Sequence, residues 1–184
     1  MTWTTPITWV TSQVVTAAQL NTHIRDNENA LVDRIQQVRK SSAQNMISTT
    51  TLTADTQLLF TAVAGQSYVF DLMLIFNTSS SAIDCKVGFS FPSGTLSFQA
   101  IGMDPAVASG VIGSGIWDAV SSATSGTSAL ARGVASADTT VRVSGSFACT
   151  VGGTVNLVWA QNTLTATNLT LQAGSSLQAI RVAV

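Results

Sequence analysis

Tyr68-Val69-Phe70-Asp71-Leu72-Met73-Leu74-Ile75-Phe76 puts Tyr68, Phe70, Leu72, Leu74 and Phe76 on one side of an extended backbone and Val69, Met73 and Ile75 on the other, because strand side chains alternate between faces. Leu58 and Phe60 begin the same alternating set upstream. A run this apolar on both sides reads as a central strand covered on both faces. The period of two recurs in Val87–Phe91, Thr95–Ile101, Thr139–Cys149, Thr154–Gln161, Asn168–Gln172 and Leu177–Val184. Turn formers separate these runs at Ala64-Gly65-Gln66, Pro92-Ser93-Gly94, Gly152-Gly153 and Ala173-Gly174-Ser175. Short strands with little helical text between them predict a mainly β chain, an antiparallel β-sandwich of jelly-roll type, and not a parallel α/β sheet. Trp159, alternating with polar neighbours, reads as core. Residues 103–126, rich in Ala, Ser and Gly around Ile116-Trp117, interrupt the series and read as a long loop.

Toward the N-terminus the text changes. Thr16 and Gln19 have the spacing of a capping box, and Val15 and Leu20 that of a hydrophobic staple. From there Leu20, Ile24, Asn27, Leu31, Arg34 and Val38 alternate intervals of four and three, as the seam of a coiled coil does, with Ile35 taking over beside Arg34. A polar Asn27 in such a seam fixes register at some loss of stability. Charge concentrates here, in Arg25, Asp26, Glu28, Asp33, Arg34, Arg39 and Lys40, with Arg39-Lys40 placed to face the negative pole of the helix dipole. A helix packed on its own sheet would show a wider apolar face, so the thin stripe predicts partner helices. The expected organisation is an extended arm over residues 1–15, carrying Trp3, Ile7, Trp9 and Val10, an oligomerisation helix over 16–42, and a β head over 43–184.

The chain has 184 residues, enough for one ordinary domain and an appendage. Hydrophobic residues make up 46% and charged residues 9%, against a charged norm of about 25%, so hydroxyls and amides must solvate the surface. A net charge of −1 and a pI of about 5.6 give no electrostatic ground for binding nucleic acid or an anionic bilayer. No apolar run approaches the roughly 18–20 residues of a membrane span, and no basic-then-apolar start marks a secretion signal, so synthesis and folding in a cytoplasm are expected.

Chemistry-bearing residues are few. His23 is the one histidine and sits on the charged helix, facing solvent or a neighbouring helix, so a nucleophile–base triad has nothing to build on. Cys85 and Cys149 lie in no C-x-x-C pair and have no histidine at ligand spacing; zinc is not expected, and two buried thiols are. Asp55, Asp71, Asp84, Asp104, Asp118 and Asp138 stand singly, mostly beside turns. Gly110, Gly113 and Gly115 match neither a phosphate loop nor a dinucleotide fingerprint. The reading is a protein with no catalytic, cofactor or metal site.

Two groups of motifs resemble structural proteins of tailed bacteriophages, particularly those infecting actinobacteria. The front group is Trp9-Val10 followed by Val14-Val15-Thr16-Ala17-Ala18-Gln19-Leu20-Asn21-Thr22-His23-Ile24-Arg25-Asp26-Asn27. The back group is Leu157-Val158-Trp159-Ala160-Gln161-Asn162, Ala173-Gly174-Ser175-Ser176-Leu177 and Ala179-Ile180-Arg181-Val182. Chains that look like this serve as head fibres, capsid decoration proteins, or minor tail and tail-fibre proteins. The resemblance implies a virion surface location, no enzymatic activity, and a homotrimer with a β-sandwich head. Under it Leu20, Ile24, Asn27, Leu31, Ile35 and Val38 form the trimer seam, as a coiled-coil-like stalk. Trp3, Ile7, Trp9 and Val10 anchor the arm to a major capsid protein or tail component. Trp117 is the candidate contact for a host glycan if the head binds one.

Overall fold

The computed structural model describes residues 3–80, 83–103, 115–122, 129–134 and 136–182. It divides the chain into two compact units, Met1–Gln36 and Gln37–Val184. Among the described residues of the first unit, a helix runs from Ala17 to Val32 in three windings: α1 (Ala17–Leu20), a π-wound turn (Asn21–Arg25) and α2 (Asp26–Val32). Among the described residues twelve strands follow: β1 (Ile35–Arg39), β2 (Gln44–Met46), β3 (Thr53–Ala62), β4 (Ser67–Thr78), β5 (Cys85–Ser90), β6 (Ser93–Met103), β7 (Gly115–Ser122), β8 (Ala129–Arg132), β9 (Thr139–Val151), β10 (Gly153–Gln161), β11 (Leu169–Leu171) and β12 (Ser176–Val182).

The strands form two antiparallel sheets. The larger runs β1-β12-β4-β9-β6-β7, with β11 pairing β4 and β2; the smaller runs β3-β10-β5-β8. Two antiparallel sheets in a mainly β, sandwich-like arrangement agree with the expected class, while the strand orders do not establish the jelly roll. The central-strand reading of 68–76 holds, since β4 pairs β9 on one side and β12 and β11 on the other. Cover on both faces does not: Tyr68, Phe70, Leu72, Leu74 and Phe76 are buried, whereas Val69 and Met73 are 42% and 45% exposed. Asp71, between them, pairs with Arg142 of β9 at 2.9 Å on that open face.

The core lies between the sheets. Aromatic rings interlock across the gap: Phe89 of the small sheet sits 5.0 Å from Phe70 and 5.1 Å from Phe98 of the large one, and Phe76 meets Trp159 edge-on at 5.5 Å. Such pairs add to burial through complementary ring edges and faces. Gly145 stands opposite both Phe70 and Phe98 in the ladders. A Cβ there would lie 2.4 Å from the Ser97 carbonyl oxygen and 2.6 Å from the Phe70 ring, so glycine is what lets these rings close over β9.

Two expectations are corrected. The helix ends at Val32, not near residue 42, and Ile35–Arg39 is an edge strand beside β12. Alternation is the reason: Val38 packs against the core and Lys40 is fully buried, a same-side placement that period two delivers and a helix does not. Within 103–126, Gly115–Ser122 is a strand laddered to β6 with Trp117 opposite Ile101, and not loop. Eight backbone pairings along an edge outweigh weak local propensity. Residues 104–114 and 123–126 lie outside the described residues.

The sequence reading puts Lys40 at a helix end and Asp55 beside a turn. Instead Lys40 Nζ meets Asp55 Oδ2 at 2.6 Å with both side chains at 0% exposure. The β3–β10 ladder slips here, Leu59 facing Asn156 while Ala54 faces Val158, so β3 carries three extra residues. Asp55 Oδ1 accepts the Gln57 and Leu58 amides of that bulge at 2.8 and 2.7 Å. The Lys40 backbone is held too, donating to the Ser175 carbonyl and accepting from the Gly174 amide. Gln44 then covers the outer edge of β3, its side-chain amide accepting from Thr56 N and donating to the Ala54 carbonyl as a neighbouring strand would. That blunts an edge otherwise open to aggregation.

Removing one member of a buried pair leaves the other charge uncompensated, so Asp55→Ala should lower stability in urea unfolding by about 3–5 kcal/mol. The double variant Lys40→Met, Asp55→Asn should recover part of that loss, because the introduced carboxamide keeps an acceptor for the bulge amides. A cost of Asp55→Ala within the noise of a surface substitution would refute the role given to the pair.

Candidate functional site

The first unit supplies the candidate site, an exposed helix face with an arm fastened to it. Thr16 caps the helix: its hydroxyl accepts the Gln19 amide at 3.2 Å while Gln19 Oε1 accepts the Thr16 amide at 3.0 Å. The capping box read from the sequence is therefore formed. Beyond it Leu20, Ile24 and Leu31 are 44%, 47% and 49% exposed, an apolar row on a charged helix. Among the described residues of this unit only Asn27 and Ala30 are buried.

Asn27 does not face outward as the seam reading expected. It is 4% exposed and grips the backbone of its own arm, Oδ1 accepting from Thr4 N and Nδ2 donating to the Thr4 carbonyl, each at 2.8 Å. Nδ2 also donates to the His23 carbonyl at 3.2 Å, one turn back where the helix is π-wound. His23 sits in that turn with Nδ1 buried and no hydrogen-bond partner among the described residues. Of the other seam residues, Ile35 and Val38 lie on β1. The helical part of the expected seam therefore reduces to Leu20, Ile24 and Leu31.

The residues expected to anchor the arm lie on an extended segment. Trp3 is 43% exposed, Trp9 39% and Val10 66%, with Ile7 half-buried. The docked point is the Thr4 backbone, which sequence reasoning could not find because the bond uses no side chain of the arm. Asn27 itself was visible as a polar residue at a seam position, but periodicity could not say that its partner lies 23 residues upstream.

Among the described residues no cluster of His, Cys, Asp or Glu could hold a metal ion. Asp71 pairs with Arg142 and Asp138 accepts from Asn77 at 2.9 Å, Asp104 lies outside the described residues, and Asp118 is on β7. A shallow hollow of about 510 Å3 on the outer face of the large sheet is lined by Ser97, Gln99, Ala119, Ser144 and Ser146 among others. Both cysteines are free and buried, as the sequence led us to expect. Burial, and secondarily the Asp84 carboxylate, push the Cys85 thiol up from 9.0 to about 12; burial also raises Cys149.

No protein-family model matches this sequence, and no curated protein is similar to it. Among solved structures the chain is similar to the VP2 subviral particle of infectious bursal disease virus, at 12% identity and TM-score 0.22, over 82% of this chain and 37% of that one. The Gx and Gt strain structures of the same virus match at 12% and 11% identity, both with TM-score 0.20, over 82% and 80% of this chain and 37% and 40% of theirs. The chain thus spans well under half the length of these viral chains. At such TM-scores the superpositions carry no argument about fold or function.

The shift of Cys85 has a sign that can be measured. Between pH 9 and 12 the unfolded chain loses the proton that the folded chain keeps, so the folded state binds more protons and stability falls as pH rises. Cys85→Ala should remove a slope of about 1.4 kcal/mol per pH unit from urea unfolding measured across that window. An identical alkaline slope in both proteins would contradict it.

Proposed function

We propose that this chain is a non-enzymatic structural protein of a bacteriophage virion, assembling as a homotrimer through its helix and attached to the capsid exterior by its arm as a decoration protein or head fibre. The observation that carries the reading is the exposed row Leu20, Ile24 and Leu31 in a unit that buries only Asn27 and Ala30 among its described residues. Segments below about 40 residues seldom sustain a core without disulfides, metals or oligomerisation. Neither cysteine lies in this unit and both are free. Association of like helices would cover the row. The motif resemblance to tailed-phage structural proteins and the sparsely charged surface point the same way.

Trp3, Ile7, Trp9 and Val10 supply what attachment needs, since large aromatic anchors dominate interface energetics. Three arms on one trimer multiply modest affinities through effective concentration. A second reading, a tail-fibre protein whose head binds a host-wall glycan, is favoured by the hollow in which Ser97, Gln99, Ser144 and Ser146 stand beside Phe98, Ala119 and Gly145. Glycan-array binding by the full chain, lost in Gln99→Ala, would select that reading.

Ile24→Asp combined with Leu31→Asp should convert trimers to monomers in sedimentation equilibrium while leaving the near-ultraviolet spectrum of the β head unchanged. Trimers that persist would place assembly in the head. Deleting residues 1–15 should leave a trimer that no longer binds particles lacking the protein, and undiminished binding would sink the anchoring role.

A further inference from the structure

We propose that in the assembled protein the N-terminal arms are exchanged, Thr4 of one chain docking on Asn27 of the next; this rests on the assembly reading above. Three features of the first unit lead there.

The first is the chemistry of the latch. Asn27 reads only the backbone of Thr4, one N–H and one carbonyl. Any extended segment of the same sequence satisfies it equally, whether it comes from the same chain or from another. The hydrogen bonds are therefore identical before and after exchange, and what decides between the two arrangements lies elsewhere.

The second is the hinge. The arm is folded back by a tight turn in which Gln13 N donates to the Val10 carbonyl and Val10 N to Gln13 Oε1, both at 3.1 Å. Inside it Ser12 takes φ 67°, a left-handed conformation disfavoured for any residue with a Cβ. Short hinges under strain invite exchange of the element they carry, because opening the hinge releases the strain, here against the loss of the turn's two exposed hydrogen bonds.

The third is reach and cover. Opened at Ser12, the eight residues back to Thr4 extend about 28 Å at 3.3–3.6 Å each, while axes of packed helices lie about 8–10 Å apart. The arm thus spans to a neighbouring helix with length to spare. Folded on its own helix it leaves Trp3, Trp9 and Val10 at 43%, 39% and 66% exposure, so its large side chains are not sealed against its own chain.

Because the latch ignores the Thr4 side chain, position 4 accepts a photoreactive benzophenone amino acid in the full-length protein. Sedimentation first establishes the oligomer; illumination and denaturing electrophoresis then report which chain the arm touches. Exchange predicts covalent dimers and trimers. Trimers in sedimentation that give only internally cross-linked single chains would overturn exchange and leave the assembly reading standing. Monomers in sedimentation would overturn both. Ser12→Gly, which relieves the closed turn, should lower the ratio of interchain to intrachain product about fivefold, the equilibrium equivalent of removing one left-handed side chain. Ser12→Pro, locked at negative φ, should raise that ratio, and a ratio indifferent to both substitutions would refute the hinge.

Discussion

The ion pair between Lys40 and Asp55 is the constraint on which the arrangement of the two sheets turns. It joins the segment leaving β1, the outer edge of the large sheet, to β3, the outer edge of the small one. A buried pair of this kind is weak evidence for stability in itself, since desolvation offsets much of the attraction. Its use here is geometric. Asp55 takes the two amides that the β3 bulge withdraws from the ladder, and Lys40 neutralises the carboxylate that does so. Without the carboxylate those amides would be buried without partners; without the lysine the carboxylate would be buried alone.

The surface around this core is unusual for its scarcity of charge. On the open face of the large sheet, Asp71 and Arg142 neutralise each other, Arg39 lies nearby at the β1 edge, and Ser97, Gln99, Ser144, Val69 and Ile180 are among its uncharged residues. Edges are managed by other means than the usual lysines: Gln44 imitates a strand against β3. Asn27 does the same for the arm, using one side-chain amide in place of a peptide unit. In both places a side chain closes a ladder that the backbone leaves open.

How much of this was legible in the sequence follows from which interactions are local. The strands β4, β5, β6, β9, β10, β11 and β12 announced themselves because a buried face on alternate residues leaves its mark on every second letter. The helix start at Thr16 was readable because the capping box is closed within four residues. The end of the helix was not: 33–40 has helix-compatible residues, and only the pairing with β12 and the burial of Val38 and Lys40 make it a strand. β7 was hidden for the same reason, its Ala/Ser/Gly text gaining its order from the ladder with β6.

The candidate site divides in the same way. Leu20, Ile24 and Leu31 could be picked out by interval alone, since the geometry of a helix turns spacing into a face. The part played by Asn27 could not, because a hydrogen bond to the backbone of Thr4 leaves no trace in the identity of residue 4. By itself, then, the amino-acid sequence determined the class of the head, the place where the helix begins and the apolar row it presents, all of them consequences of short-range periodicity. Only the tertiary structure decided where the helix stops, that Lys40 and Asp55 meet, and what Asn27 holds, because the first depends on pairing with the distant strand β12 and the others on chain segments brought together from 15 and 23 residues apart.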